Sequence, residues 1–223
     1  MEKFFWSDPM SRTAFPVAKP GYGMIGASAF ATAILAMIGL TIPAFLGLII
    51  TFFICWFFRD PDRVIPSKEG AVVSPADGKV VIRDLVENCP FIEGPCLKIS
   101  IFMSIFNVHV NRIPYEGTVS RVVYNPGKFF TANLDKASTD NEQNAIVLKT
   151  ENDKNICFIQ IAGLVARRII CGVQEGDILS RGQRFGMICF GSRLDVYLPS
   201  DSIPEVSVGD KVTAGSSVLG YLK

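Results

Sequence analysis

A long apolar run near the N-terminus is the strongest pattern in the sequence. No charged residue occurs from Gly21 to Phe58, and this run is longer than the roughly 20 residues that one helix needs to cross a bilayer. Gly39 and Pro43 mark a break within it, which divides the run into halves at about 22–40 and 44–58. The pattern therefore predicts a helical hairpin that crosses a membrane twice or dips in and returns.

Two other interpretations of the apolar run compete with a membrane hairpin. A cleaved signal peptide fits poorly because the run begins late and is too long, whereas a hairpin buried in a protein core stays open. Basic residues on both flanks predict that both ends of the hairpin lie in the cytoplasm. These flanking residues are Lys3, Arg12, Lys19, Arg59 and Arg63.

After Phe58, short runs rich in Val, Ile and Phe alternate with Gly, Pro, Asn and Asp. This pattern is typical of a β-sandwich or barrel, and no long segment with 3.6-residue periodicity competes with it. The predicted fold is mainly β, with a helical hairpin at 1–58 and a compact sandwich-like or barrel-like domain at 59–223. The predicted strands are Ala71–Val73, Lys79–Ile82, Leu97–Met103, Thr118–Tyr124, Ala145–Lys149, Ile156–Ile161, Ala166–Cys171, Arg184–Phe190, Leu194–Leu198 and Ser217–Leu222.

Composition narrows the possible functions. The chain has 22 basic and 21 acidic residues, a net charge of +1, and this balance argues against nucleic acid as a partner. Its six cysteines form no Cys-x-x-Cys pair, and it has one histidine. We therefore expect no metal site, and thiols that lie on the reducing side of the membrane.

One octapeptide pattern recurs weakly. EGDILSRG begins at Glu175 and VGDKVTAG at Val208, so that Gly-Asp is followed each time by a short β-like run and a glycine. Two copies are too few for a solenoid, and the recurrence predicts pseudo-symmetric β packing.

Three segments carry candidate chemistry, although each has a plain structural explanation. VVSPADGKV holds Asp77 in a Pro-Ala-Asp-Gly sequence that favours a β-turn. SIFNVHVNRIP holds His109, the only histidine, on a predicted strand with Asn107 and Asn111 on the same face; a lone histidine in a strand is usually a packing or surface residue. RFGMICFGSRLDVYLP is interrupted by Gly191-Ser192, which is also typical of a hairpin turn or bulge.

Together, Asp77, His109 and Ser192 supply the groups that activate a hydroxyl as a nucleophile. The Gly-x-Ser-x-Gly motif of α/β-hydrolases is absent at Ser192. The carbonyl nearest to the Ser192 hydroxyl belongs to its own neighbour, Gly191. Attack on this peptide bond is therefore a natural alternative to ester hydrolysis.

Five segments in the same order resemble the short, membrane-anchored phosphatidylserine decarboxylase proenzymes. They are FFRDPDRVIP, VVSPADGKV, ISIFMSIFNVHVNRIP, ENDKNICFIQIAGLVARRIICGV and RFGMICFGSRLDVYLP. The resemblance implies self-cleavage between Gly191 and Ser192, giving a β chain of residues 1–191 and an α chain of residues 192–223. These two chains would form a heterodimer, with further oligomerisation left open.

The same resemblance implies a cofactor, a substrate and a location. Ser192 would become a covalent pyruvoyl group, whose carbonyl forms a Schiff base with the amine of phosphatidylserine and draws electrons as CO2 leaves. The product would be phosphatidylethanolamine, made at the cytoplasmic face of the cell membrane in contact with membrane lipid. Archaetidylserine stays open as an alternative substrate.

Residue roles follow from this resemblance. Asp77 would orient His109, which would take the proton from Ser192 and later protonate the carbanion. Long bacterial members have Leu-Gly-Ser-Thr and a pair of histidines, whereas this chain has Phe-Gly-Ser-Arg and His109 alone. The roles of the long enzymes are therefore less secure here.

Arginines are the candidate ligands for the phosphate or carboxylate of the substrate, because a guanidinium grips both through paired hydrogen bonds. These candidates are Arg112, Arg167 and Arg168, although Ala-Arg-Arg also fits a solvated or membrane-facing basic edge. Two further functions stay open: a membrane-tethered carrier module of the biotinyl or lipoyl type using Lys79, and a serine hydrolase using Ser192, His109 and Asp77. Both predict an uncleaved chain.

Overall fold

A computed structural model describes residues 17–127, 141–163, 169–189 and 191–223. The chain divides into two compact units, and the division falls between Asp62 and Arg63. The predicted arginines Arg167 and Arg168 lie outside the described residues.

The N-terminal unit contains two apolar helices. A short 3-10 turn at Lys19–Gly21 leads into α1 (Tyr22–Met37), and α2 spans Thr41–Phe57. The helices are joined through Gly39, whose φ of +79° suits glycine. Within the described residues, the stretch Lys19–Met37 is long and apolar enough to cross a membrane, while Thr41–Phe57 is shorter.

Small and hydroxyl-bearing residues let α1 and α2 pack closely. Ser28 Oγ and Thr51 Oγ1 form a hydrogen bond of 2.8 Å between the helices. A Cβ atom at Gly47 would lie only 2.6 Å from Thr32 Oγ1, so the glycine is required for this approach. Small residues have this role at interfaces between membrane helices.

The second unit is mainly β, as the sequence predicted. Its strands are β1 (Ala71–Val73), β2 (Gly78–Val86), β3 (Cys96–Met103), β4 (Val110–Arg112), β5 (Gly117–Asn125), β6 (Gln143–Lys149), β7 (Asn155–Ala162), β8 (Ile169–Cys171), β9 (Ile178–Leu179), β10 (Arg184–Ile188), β11 (Ser192–Pro199), β12 (Ile203–Pro204), β13 (Lys211–Val212) and β14 (Val218–Tyr221). They form one eight-stranded sheet in the order β13-β2-β3-β11-β7-β6-β5-β9 and two three-stranded sheets, β1-β14-β12 and β4-β10-β8.

Strand β11 lies in the middle of the large sheet and is hydrogen-bonded along its length to β3 and β7. Its alternate residues Leu194, Val196 and Leu198 enter the main apolar core, while Tyr197 packs in a smaller cluster on the opposite face. Both faces of β11 are buried, yet its sequence alternates: Arg193, Asp195 and Tyr197 lie on the face opposite to that of the three aliphatic residues.

The weak sequence repeat corresponds to a repeated structure. Strand β9 pairs with β5 at one edge of the large sheet, and β13 pairs with β2 at the other. The amide of Gly176 donates to the Val119 carbonyl and that of Gly209 donates to the Val80 carbonyl, both at 2.8 Å. The predicted pseudo-symmetric packing is therefore present at the two edges.

A second pair of turns obeys the same symmetry. Residues 75–78 (Pro-Ala-Asp-Gly) precede β2, and residues 114–117 (Pro-Tyr-Glu-Gly) precede β5. The Val73 amide donates to the Pro114 carbonyl and the Arg112 amide donates to the Pro75 carbonyl, both at 2.9 Å. This reciprocal exchange links the two halves of the unit next to the candidate site.

Two expectations need correction. His109 does not lie within a strand, because it precedes β4 after a turn at Ser104–Asn107. Cys89 and Cys96 lie close enough to pair, with their Cα atoms 6.2 Å apart, whereas we expected thiols that form no close pair. The residues between them connect β2 to β3, so a short hairpin loop brings these two cysteines together without a Cys-x-x-Cys spacing.

Candidate active site

Ser192 begins β11 and lies directly opposite Met103 on β3 and Ala162 on β7. Its side chain is fully buried, and its Oγ atom has no hydrogen-bond partner within the described part of the chain. A buried hydroxyl without a partner costs free energy and is uncommon. Such an atom is a candidate for a reacting group.

Gly191 sets the backbone geometry immediately before this serine. Its φ of +67° lies in the left-handed region, which is costly for residues with a Cβ atom. A Cβ atom built at Gly191 would have no atom within 4 Å outside its own neighbours. Backbone conformation, rather than space, therefore selects glycine at this position.

His109 lies against the same peptide segment. Its Nδ1 atom is 2.9 Å from the carbonyl oxygen of Asn107, so Nδ1 carries the proton and donates to that oxygen. Its Nε2 atom then presents a lone pair, which accepts a hydrogen bond of 3.4 Å from the Gly191 amide. This tautomer, inferred from the two hydrogen bonds, is the one that a general base needs beside the Gly191–Ser192 bond.

A turn with two internal hydrogen bonds holds the carbonyl that orients His109. The side-chain oxygen of Asn107 accepts from the amide of Ser104 at 2.9 Å and from its hydroxyl at 2.8 Å. The side chain thus bonds back to the residue three positions earlier and reinforces the backbone hydrogen bond of 3.0 Å from the Asn107 amide to the Ser104 carbonyl. The turn holds Asn107 in position, and the Asn107 carbonyl in turn orients the imidazole ring of His109.

Asp77 has other partners than the histidine. Its carboxylate accepts two hydrogen bonds from Arg63 Nη2, at 2.9 and 3.1 Å, and one of 2.7 Å from the Ala214 amide. The Asn107 carbonyl, and not this carboxylate, lies beside His109 Nδ1. The expected orientation of His109 by direct contact with Asp77 is therefore not what the structure has.

The symmetric turn contains a similar ion pair. Glu116 occupies the position that corresponds to Asp77 and accepts two hydrogen bonds of 2.7 Å from Arg181. Burial opposes ionisation of Glu116, but these hydrogen bonds outweigh it and lower the pKa of the carboxyl group. An acidic residue that forms an ion pair with arginine is therefore a repeated structural element of this unit.

Arg112 is buried, and its Nη1 atom donates to the Gly182 carbonyl at 3.0 Å. A Cβ atom at Gly215 would lie 2.9 Å from its Cδ atom, so the arginine stem packs tightly under that glycine turn. These contacts give Arg112 a structural role. Its role in binding substrate stays a prediction, as do those of Arg167 and Arg168.

Sequence reasoning missed a buried ion pair that immediately follows the candidate nucleophile. Arg193 Nε and Nη2 donate to the Asp195 carboxylate at 2.6 and 2.9 Å, and both side chains are 0% exposed. Arg193 Nη2 also donates to Ser100 Oγ at 3.2 Å, and Lys98 Nζ lies 3.3 Å from Asp195. The sequence feature that could have revealed this ion pair is the presence of two opposite charges, two residues apart, among the aliphatic residues of the strand.

This network influences its neighbours on the same sheet face. Burial raises the pKa of the Cys157 thiol to about 12, and the nearby Asp195 carboxylate adds to the effect. Burial also raises the pKa of the Tyr197 hydroxyl, again with a contribution from Asp195. Both groups stay neutral at physiological pH, which suits side chains packed in the smaller apolar cluster.

A buried serine hydroxyl without a partner among the described residues, a glycine with positive φ before it and a histidine against the same segment form a candidate site for serine chemistry. The phosphatidylserine decarboxylase family model matches residues 50–220. A phosphatidylserine decarboxylase proenzyme of Desulfotalea psychrophila is 47% identical over 213 residues, covering 96% of this chain and 100% of the relative. Another from Syntrophus aciditrophicus is 55% identical over 177 residues, covering 79% of this chain and 83% of the relative. The chain belongs to the phosphatidylserine decarboxylase family.

Proposed function

We propose that this protein cleaves itself between Gly191 and Ser192 and then decarboxylates phosphatidylserine to phosphatidylethanolamine with a pyruvoyl group derived from Ser192. The observation that carries the proposal is the buried Ser192 Oγ atom, which has no hydrogen-bond partner within the described residues and follows Gly191, whose own amide contacts His109 Nε2. The names of the similar proenzymes support the substrate and the processing.

Cleavage begins with proton transfer. In this proposal His109 Nε2 first releases the Gly191 amide and then accepts the proton of the Ser192 hydroxyl, and the resulting oxygen attacks the Gly191 carbonyl carbon. The C–N bond between the two residues breaks, the Ser192 nitrogen gains a proton, and an ester joins Gly191 to the serine oxygen. Glycine adopts the positive φ of position 191 readily, so the backbone conformation that precedes Ser192 costs little.

Elimination then completes the break. Loss of the Ser192 Cα proton breaks the Cβ–Oγ bond, which leaves a carboxylate on Gly191 and dehydroalanine at position 192. Addition of water releases ammonia and leaves a pyruvoyl group at the new terminus of the α chain. No external oxidant is needed, because the serine side chain itself supplies the leaving group.

Position 192 suits such a carbonyl group. It is fully buried at the start of a central strand, so that little bulk water surrounds the reacting centre and the single water needed for hydrolysis must enter it. When formed, the pyruvoyl group supplies an electron-withdrawing carbonyl for the substrate amine. The Asn107 carbonyl holds the His109 ring in place, and His109 is the proposed proton donor to the carbon that loses CO2.

Cleavage leaves the sheets intact. The α chain, residues 192–223, contributes β11 between β3 and β7 and β13 beside β2, while β14 pairs with β1. All four of these partner strands belong to the β chain. The two products therefore stay joined by strand pairing as a heterodimer.

The apolar helices support a membrane location. The lipid substrate is held in bilayers, and α1 with α2 would keep the enzyme at that surface, with the β unit on the cytoplasmic side. The full chain should sediment with membranes after a high-salt wash. Its recovery in the washed soluble fraction would contradict the anchor.

Mass measurement of the purified chain tests the proposed function. We expect two fragments, and the mass of the smaller should match residues 192–223 with Ser192 converted to pyruvoyl. Ser192→Ala should give one uncleaved, inactive chain, and Ser192→Cys should cleave slowly because a thiol can make the same acyl shift. His109→Ala should lose decarboxylation. An active chain that stays whole with unmodified Ser192 would instead favour a serine hydrolase.

A further inference from the structure

A row of buried carboxamides crosses the apolar core next to the candidate nucleophile. Asn144 Nδ2 donates to Gln160 Oε1 at 3.1 Å, and Gln160 Nε2 donates to Asn111 Oδ1 at 2.9 Å. Asn111 and Gln160 are 0% exposed, and Asn144 is 3% exposed. Three buried amides in one chain require an explanation, because an apolar core of the same shape would avoid their desolvation.

The row ends on the face of the sheet that carries Ser192. Asn111 Nδ2 contacts Met103 Sδ at 3.7 Å, and Met103 lies directly opposite Ser192 in the pairing of β3 with β11. Side chains of directly opposed residues lie on one face of a sheet. Gln160 lies opposite Leu194, two residues further along the same face of β11.

The hydrogen bonds give the row a direction. Each side-chain oxygen accepts from the preceding amide, which leaves the two N–H groups of Asn111 at the end of the row. Their one partner in the described part of the chain is the Met103 sulfur, a weak acceptor. The Asn111 amide and the Ser192 hydroxyl are thus two under-used polar groups that flank the same methionine.

Gly186 provides the room for this arrangement. It pairs with Asn111 between β10 and β4, and a Cβ atom there would lie 2.9 Å from Gln160 Nε2 and would overlap the Ile170 carbonyl. A glycine in the middle of a strand weakens the strand unless something must approach closely. At Gly186 the approaching group is the amide that orients Asn111.

We propose that Asn111 is a catalytic hydrogen-bond donor to Ser192 Oγ, and that Gln160 and Asn144 are positioning residues that keep its N–H groups turned toward that oxygen. The inference rests on the proposed function. As His109 removes the Ser192 proton, negative charge develops on Oγ in a dry site, where a pre-oriented donor is most effective. Because Ser192 Oγ has no hydrogen bond within the described part of the structure, this contact forms only as charge develops on the oxygen.

The test is the rate of self-cleavage, which needs no cofactor. Full-length chain is synthesised in a cell-free system with lipid vesicles, and conversion to the two fragments is followed on gels. Removal of one donor of this kind typically slows a reaction by about 10²–10³-fold, and we expect such a loss for Asn111→Leu. Gln160→Met, which keeps Asn111 but releases its orientation, should slow cleavage by roughly tenfold. Thr150→Val removes a buried polar group remote from Ser192 and serves as the matched control.

Two further measurements distinguish a catalytic role of Asn111 from a purely structural one. In a Ser192→Ala background every variant stays one chain, and thermal unfolding shows whether Asn111→Leu is folded. If it is not, Asn111→Asp is used: its carboxylate repels the developing charge at neutral pH, whereas its protonated form can donate. Its rate relative to the parent chain should therefore recover as pH falls, which a structural defect would not produce.

The outcomes are distinct. Cleavage of a folded Asn111→Leu chain at the rate of Thr150→Val, or an Asn111→Asp rate ratio independent of pH, would overturn the role of Asn111. A parent chain that does not cleave between Gly191 and Ser192 would overturn the proposed function itself. A parent chain that cleaves while the Asn111 variants cleave equally well would overturn this inference alone.

Discussion

The buried ion pair between Arg193 and Asp195 offers the sharpest test of how the strand after the cleavage site is stabilised. Both side chains are 0% exposed and are joined by hydrogen bonds of 2.6 and 2.9 Å. Arg193→Met keeps most of the side-chain length but leaves the Asp195 carboxylate without its main partner. The prediction is a large loss of stability from removing one side chain.

The expected magnitude follows from burial. Breaking a buried ion pair by removing one partner costs about 3–5 kcal/mol. Lys98 remains 3.3 Å from Asp195, so we expect the lower end, about 3 kcal/mol. At roughly 2–4 °C per kcal/mol for a chain of this size, the melting temperature should fall by about 6–12 °C. Arg193→Met combined with Asp195→Leu should recover most of this loss, because a matched apolar pair is often neutral.

Thermal unfolding in detergent measures these effects, with every variant in the Ser192→Ala background so that chain breaks do not contribute. Lys149→Met is the control, because the Lys149–Asp153 pair is exposed, at 51% and 84% of the side chains, and such pairs contribute little. A melting temperature for Arg193→Met equal to that of Lys149→Met would refute the reasoning. So would a double variant less stable than Arg193→Met alone.

Two further predictions concern the backbone before Ser192 and the symmetric ion pair. Gly191→Ala should slow self-cleavage by roughly tenfold, since a Cβ atom at a φ of +67° costs about 1–2 kcal/mol; equal cleavage rates on gels would contradict it. Because the folded-state pKa of Glu116 is lowered, its ionised form stabilises the fold above the unfolded pKa, and this contribution is lost as pH falls through the folded one. Glu116→Gln should therefore flatten the fall in melting temperature between about pH 5 and pH 3, and an unchanged pH profile would exclude the effect.

Local chemistry explains why the strands were predictable and their pairing was not. Runs such as Ala71–Val73 and Leu97–Met103 are extended because branched and aromatic side chains pack well on a pleated surface, and the structure has strands at both. The sheet order β13-β2-β3-β11-β7-β6-β5-β9 depends instead on contacts between distant residues. Two-residue strands such as β9 and β13 exist because partners at the sheet edges are present, and their own sequences carry little signal.

The candidate site was likewise predictable only in part from the sequence. Ser192 and His109 could be chosen from sequence because one follows a glycine that interrupts a strand and the other is the only histidine. The partners of Asp77 could not be predicted. The sequence Pro-Ala-Asp-Gly indicates a turn, but it does not indicate which arginine binds the aspartate. Arg63 and the Ala214 amide lie far from Asp77 in sequence and reach it through the fold alone.

The symmetry of the β unit bears on the proposed cut, because β11 lies in the middle of the large sheet. Strands β13, β2, β3 and β11 mirror β9, β5, β6 and β7 across the middle of the large sheet. The proposed cut before Ser192 falls at the start of β11, where one half meets the other, and it removes no pairing of β11 with β3 or β7. Ser192 comes from one half and the orienting Gln160 from the central strand of the other. Ser192 is therefore held by strands on both sides, and we expect the proposed cleavage to change covalent connectivity while the surrounding packing is retained.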